Sequence, residues 1–266
     1  MTGTQKIKID LTKSFPHLRN APIVEAVIEI RARAEAPWDE STVLHDLKAK
    51  LASDYPKVLS QNELRGQISF IPGQAAESAT PDLKWRGLVF RSEDERHVAQ
   101  FNRDGFSFSR LRPYESWDQL YIEAMRLWHF YRDLARPTEA QRIGLRFINR
   151  IELRPGEVRF GDYIQPAPRP PKGMNLPFVT FFQRDTLAAI GHPYAINVTR
   201  ATQREKTPGA EGVAVILDID VFRLSVADLQ EDTLNRTLSE MRWLKNKAFF
   251  GSITSKALKR FGGVNK

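Results

Sequence analysis

Asp218 and Asp220 stand two residues apart in the apolar run Val213 to Phe222, and their spacing carries the clearest chemical suggestion in the chain. In an extended strand, alternate side chains share a face, so the two carboxylates project side by side, opposite Val215, Leu217, Ile219 and Val221. Neighbouring carboxylates can hold a divalent cation or divide acid and base roles between them. A magnesium or manganese site needs further oxygen donors. The preceding strand, across a hairpin, offers Asn197 and Thr199. Two carboxylates, one amide and one hydroxyl make a weak site, so no stable metal is expected. Like charges this close need a compensating cation, which Arg146 or Arg150 could supply. In that case the pair is a structural or partner-binding feature. The plainest reading is a solvated sheet face. A second complement of charge links two other segments: Glu25 and Glu29 lie off the apolar face of one strand, Arg146 and Arg150 off that of another. Packed side by side, these strands could match opposite charges across a sheet.

Other reaction chemistries leave no trace. There is no glycine loop ending in Gly-Lys-Ser/Thr and no Gly-x-Gly-x-x-Gly, which the phosphate- and dinucleotide-binding turns require. His-Glu-x-x-His and Gly-x-Ser-x-Gly are absent too, and with them the zinc-protease helix and the serine elbow. His17, His45, His97, His129 and His192 are scattered without metal-ligand spacing. Cysteine does not occur, which excludes disulfides, thiolate metal sites and a thiol nucleophile. No cofactor is expected.

The net charge of +8 favours anionic partners. The densest basic stretch is C-terminal: Arg242, Lys245, Lys247, Lys256 and Lys259, with Arg260 beside them. These are the candidates for phosphate contact. They wrap more than one helix face, however, and no strand interleaves aromatic and basic residues as base-stacking sheets do. The start of the chain, Met1 to Asp10, has no apolar core segment, and no run approaches the roughly 18 apolar residues of a membrane span. A cytoplasmic protein without membrane contact is therefore expected.

The elements that must position these residues follow from periodicity. With 41% hydrophobic and 27% charged residues in 266, the composition is that of an ordinary globular chain. After a lead-in over 1–20, Ile23 to Ile30 reads as a strand with Val24, Ala26, Ile28 and Ile30 on one face. Asp39 opens a helix carrying Val43, Leu44, Leu47 and Leu51, which stops at Pro56. Strands are expected at Gly66 to Ile71, Lys84 to Arg91, His97 to Phe101 and Phe106 to Leu111, the last two forming a hairpin around Arg103-Asp104-Gly105. Ser116 and Gln119 make a capping box for a helix bearing Trp117, Leu120, Tyr121, Ala124, Leu127, Trp128 and Tyr131. Ile143 to Leu153 then alternates apolar and polar. A proline-rich connector over 165–177 leads to strands at Phe178 to Arg184, Tyr194 to Gln203 and Val213 to Phe222, with a loop from Glu205 to Ala210. A long helix carries Leu234, Leu238, Met241, Leu244 and Ala248. Gly251 is expected to interrupt it before a helical tail over Ser252 to Phe261.

Both portions, 21–137 and 138–266, thus read as strand, helical segment, antiparallel strands and long helix. The expected fold is α+β, with two tandem helix-grip, TATA-binding-protein-like halves, each an antiparallel sheet crossed by a long helix. The alternative is one continuous α+β sheet without internal symmetry. In either case the helix-free face is polar, bearing Gln67, Ser69, Ser107, Ser109, Asn197, Thr199, Asp218 and Asp220.

Three segments carry a resemblance. Ala21 to Ile30 (APIVEAVIEI), Arg142 to Ile151 (RIGLRFINRI) and Leu244 to Ile253 (LKNKAFFGSI) are similar to an uncharacterised family of sporadically distributed bacterial proteins. The resemblance supplies no activity and no catalytic residues. The patchy distribution it implies is that of genes on mobile elements, where defence and toxin–antitoxin components are common. The function expected is a non-catalytic binding protein with a protein partner, its contact residues among Asp218, Asp220, Arg146, Arg150, Glu25 and Glu29. A nucleic-acid binder is the alternative, and a divalent-metal hydrolase or nuclease built on the two aspartates ranks third. A homodimer stays open.

Overall fold

A computed structural model of the chain describes residues 6–65, 68–69, 77–78, 82–153, 159–174, 176, 178–204 and 212–263. Nine strands form one antiparallel sheet. In chain order they are β1 (Ile23–Arg31), β2 (Lys57–Arg65), β5 (Asp82–Arg91), β6 (His97–Asn102), β7 (Gly105–Leu111), β8 (Arg142–Leu153), β9 (Phe182–Ala188), β10 (Tyr194–Arg204) and β11 (Val213–Arg223). Two short strands between β2 and β5, β3 (Ile68–Ser69) and β4 (Glu77–Ser78), pair only with each other. The order across the large sheet is β2-β5-β6-β7-β1-β8-β11-β10-β9.

This corrects the expectation of two tandem helix-grip halves. β1 and β8, the leading strands of the two expected units, are hydrogen-bonded neighbours from Ile23 opposite Asn149 to Arg31 opposite Arg142. The ladder therefore runs unbroken from one edge of the sheet to the other. Among the described residues between β8 and β9, the only helical piece is a 3-10 turn, Phe160–Asp162, where the first portion has a full helix. Element order in a sequence cannot show whether two strand sets share a ladder, because that pairing is a long-range contact.

Three long helices cover one face. α1 (Glu40–Leu51) buries Val43, Leu47 and Leu51, and Asp39 caps it by accepting from the Thr42 N–H at 3.0 Å. α2 (Trp117–Ala135) is capped by Ser116, whose Oγ accepts from Gln119 N–H at 3.2 Å, and ends at Arg136 with φ +48°. α3 (Glu231–Ser252) ends one residue after Gly251, close to the expected break, and Ile253 beyond it is extended. The chain closes with α4 (Ser255–Arg260).

Beneath these helices one contiguous core holds Ala26, Ile28 and Ile30 of β1, Phe106 and Phe108 of β7, Leu145, Phe147 and Ile151 of β8, and Val215, Leu217, Ile219 and Val221 of β11. Trp128 and Tyr131 of α2 and Leu234, Leu238, Met241 and Leu244 of α3 close it from above. Val24 is only partly buried, beside the irregularity between Ile23 and Glu25 in the β1–β8 register. The 97–111 hairpin forms as its Asp-Gly turn requires. Gly105 has φ +152°, and a Cβ there would lie 2.6 Å from the Ile30 carbonyl oxygen.

Two strand boundaries depart from the sequence reading. β2 was not expected, and β9 begins at Phe182 rather than Phe178. Both are edge strands, paired on one side only, so their side chains lack the alternation that burial imposes. β9 is exposed along nearly its whole length. Most of the expected strand at Gly66 to Ile71, and the expected loop at Glu205 to Ala210, lie outside the described residues.

Candidate functional site

The sheet face away from the helices carries the charged residues singled out in the sequence. Register fixes their positions: Asp220 stands opposite Arg146, Asp218 opposite Ile148, and Val27 opposite Arg146 from the other side. Arg146 grips Asp218 with two parallel contacts, Nε to Oδ1 at 2.9 Å and Nη2 to Oδ2 at 2.7 Å. That hydrogen-bonded pair holds the guanidinium pKa above its usual value. Asp220 is engaged by Arg142, whose Nη2 lies 3.2 Å from both carboxylate oxygens. Arg142 also bonds Glu29 through Nη1, and Glu29 accepts from Arg31 Nε at 3.0 Å. On the other side Asn197 Nδ2 donates to Asp220 at 3.3 Å, and Thr186 Oγ1 donates to Asn197 Oδ1 at 2.8 Å. A polar chain thus crosses four adjacent strands from β1 to β10, and reaches β9.

The two carboxylates are consumed by arginines rather than left convergent on an empty point. A cation entering between them would have to displace two guanidinium groups. Among the described residues, no group of three or more His, Asp or Glu is placed to hold a metal. The expected pairing of Glu25 and Glu29 with Arg146 and Arg150 is only partly realised. Glu29 meets Arg142 instead, Arg146 turns to Asp218, and Arg150 bonds Glu152 at 2.6 Å. Glu25 sits near Arg146 and adds a weak attraction to it. Ser107 and Ser109 project from the same face, as do Asn197 and Thr199. Gln67 lies outside the described residues.

The basic cluster is dispersed. Lys247 and Lys259 are exposed, whereas Lys256 bonds Asp162 at 2.8 Å. Arg242 lies over the Trp117 ring at 5.2 Å. Lys245 turns inward: its Nζ sits 4.0 Å from the centre of the Phe147 ring and bonds Asn246 Oδ1 at 2.5 Å. Burial, with Arg242 adding repulsion, pushes its pKa down to about 7. Five cations that point in several directions, one of them into the protein, do not form a continuous strip along which a phosphate backbone could run.

Lys245 belongs to a cleft of about 970 Å³ on the helix side. Its walls are the lead-in from Leu11 to Arg19, the start of α2 and the second half of α3, and its floor includes Phe147 and Asn149 of β8. Phe15 anchors the lead-in, stacking on Phe250 at 5.6 Å and meeting Trp243 edge-on at 6.2 Å. Sequence reasoning missed both Arg142 and this cleft, though signals existed. Arg142 continues the alternation of Arg146 and Arg150 on one strand face, and Lys245 falls on the same helical stripe as Leu238, Met241 and Phe249.

No protein-family model matches the chain, and no curated protein is found to be similar to it. Among the described residues no helix is long and apolar enough to cross a membrane.

Proposed function

We propose that this is a non-catalytic binding protein that engages a protein partner through the helix-free face of its sheet. The observation that carries this reading is the fate of Asp218 and Asp220: each is held by an arginine of β8, in a polar chain that spans adjacent strands. Carboxylates that act on a substrate or a metal need free lone pairs, whereas these serve to order a face. The face presents partly exposed charges of both signs, Glu25, Arg146, Arg150 and Asp218 among them. Mixed charge of this kind steers a complementary protein and fixes its register more than it adds affinity. The resemblance to sporadically distributed bacterial proteins supports placing the partner in a mobile defence or toxin–antitoxin locus.

The test is affinity capture from the native host with the wild-type chain and with a double charge reversal, Glu25→Arg with Arg184→Glu. Arg184 is exposed on β9 and shares the face, standing opposite Thr199. A partner captured by the wild type and lost by the reversed variant, with both equally folded, is the expected result. An unchanged set of captured proteins refutes this face as the contact.

A further inference from the structure

The helix-side cleft is a separate site, and its wall chemistry is specific enough to indicate what it takes. Aromatic rings recur along the walls: Tyr114 meets Phe147 edge-on at 5.5 Å, Trp117 stands at the start of α2, and Phe15, Trp243 and Phe250 pack together. Into this apolar setting α3 brings two cations three residues apart, Arg242 and Lys245, on neighbouring positions of one helix face. Both lean on rings rather than on acids, Arg242 on Trp117 and Lys245 on Phe147. Among the described residues neither has a carboxylate partner. The Trp243 indole N–H is buried and unpartnered among the described residues. Lys245 is half-buried and its ammonium lies against the Phe147 ring without a counter-ion, so an anion within the cleft would offset its lost hydration.

We propose that this cleft binds a small organic anion, with its negatively charged head between Arg242 and Lys245 and its aromatic or branched apolar body against Phe15, Tyr114, Trp117 and Trp243. The residues argue for an amphipathic molecule over a bare inorganic ion. Seven Phe, Tyr and Trp rings stand among the lining residues, and the volume of about 970 Å³ lies in the range of pockets for drug-sized ligands, roughly 300–1,000 Å³. The other charged groups on the walls leave the balance positive. Lys13 and Arg19 come from the lead-in, with His17 between them. Opposing them are Asp118 in the first turn of α2 and Glu115, which is paired to Arg110 at 2.8 Å. Binding must favour the protonated form of Lys245, so affinity falls as pH rises through the region where the empty site loses that proton.

Two fluorescent probes of similar shape and different charge test this on the full chain. They are 8-anilinonaphthalene-1-sulfonate and the neutral N-phenyl-1-naphthylamine. The sulfonate should saturate one site per chain at pH 6, at least tenfold more tightly than the neutral probe. It should weaken about tenfold between pH 6 and pH 8.5. Lys245→Met and Arg242→Gln should each weaken it about tenfold and leave the neutral probe unchanged. Arg242 is exposed, so its variant keeps the fold even where Lys245→Met rearranges the cleft. Competition by phenylacetate and by phenylphosphate then separates a carboxylate head from a phosphoryl one. Equal binding of the two probes, no saturable binding of the sulfonate, indifference to both substitutions, or displacement by neither competitor would each overturn the proposal.

Discussion

Replacing Lys245 with methionine should stabilise this protein at neutral pH, and the gain should shrink as pH rises. The ammonium group is half-buried, over the Phe147 ring and beside Arg242, and loss of hydration pushes its pKa down from 10.5 to about 7. At about 1.36 kcal/mol per pKa unit this is a penalty of at most ~5 kcal/mol for keeping the charge in the folded state. The folded-state pKa lies below the unfolded one, so between pH 7 and 10.5 the unfolded chain binds more protons than the native one. Stability of the wild type therefore rises with pH across that window, and below pH 7 the full penalty persists. Methionine does not titrate and fills a similar volume. Urea denaturation of both proteins at pH 6, 7.5, 9 and 10 should show the variant ahead by several kcal/mol, at most ~5, at pH 6, with the gap closing towards pH 10. A gap that is constant over this range would falsify the assignment of an unpaired, buried ammonium at this position.

Further outcomes test the packing and the polar face. Phe147→Ala empties a site in the centre of the sheet that is 1% exposed and should lower unfolding free energy by about 3–5 kcal/mol, read from the urea midpoint. Gly105→Ala forces a side chain into a left-handed turn and against the Ile30 carbonyl, so the same measurement should show a loss of at least ~1 kcal/mol. Arg142→Met strips Glu29 and Asp220 of their shared cation. It should cost about 1–3 kcal/mol, and adding Asp220→Asn should recover part of that. Calorimetric titration of the wild type with magnesium or manganese should show no tight binding. Heat that disappears in Asp218→Asn would restore the metal-site reading.

The chain's alternations alone set which face of each central strand is buried. Ile143, Leu145, Phe147 and Ile151 against Arg146 and Arg150 could be read directly, as could Leu217 and Ile219 against Asp218 and Asp220, because a strand buried on one face must alternate. The Ser116 cap and the Asp104-Gly105 turn were equally legible, since both depend on residues three or fewer positions apart. Only the tertiary structure decided that β1 and β8 are neighbours, and with that the choice of one nine-stranded sheet over two. The same contact chose Arg142 for Glu29 and Asp220, and Arg146 for Asp218, because ion pairing between strands follows register. Edge strands β2 and β9 escaped because exposure removes the selection for a pattern. Lys245 looked like one of a basic cluster until packing set its ammonium over Phe147 of the sheet, in a cleft that the lead-in helps to wall. A charge near others in sequence is buried or exposed according to what folds over it, and here that is decided by segments 98 and 230 residues away, at Phe147 and Phe15.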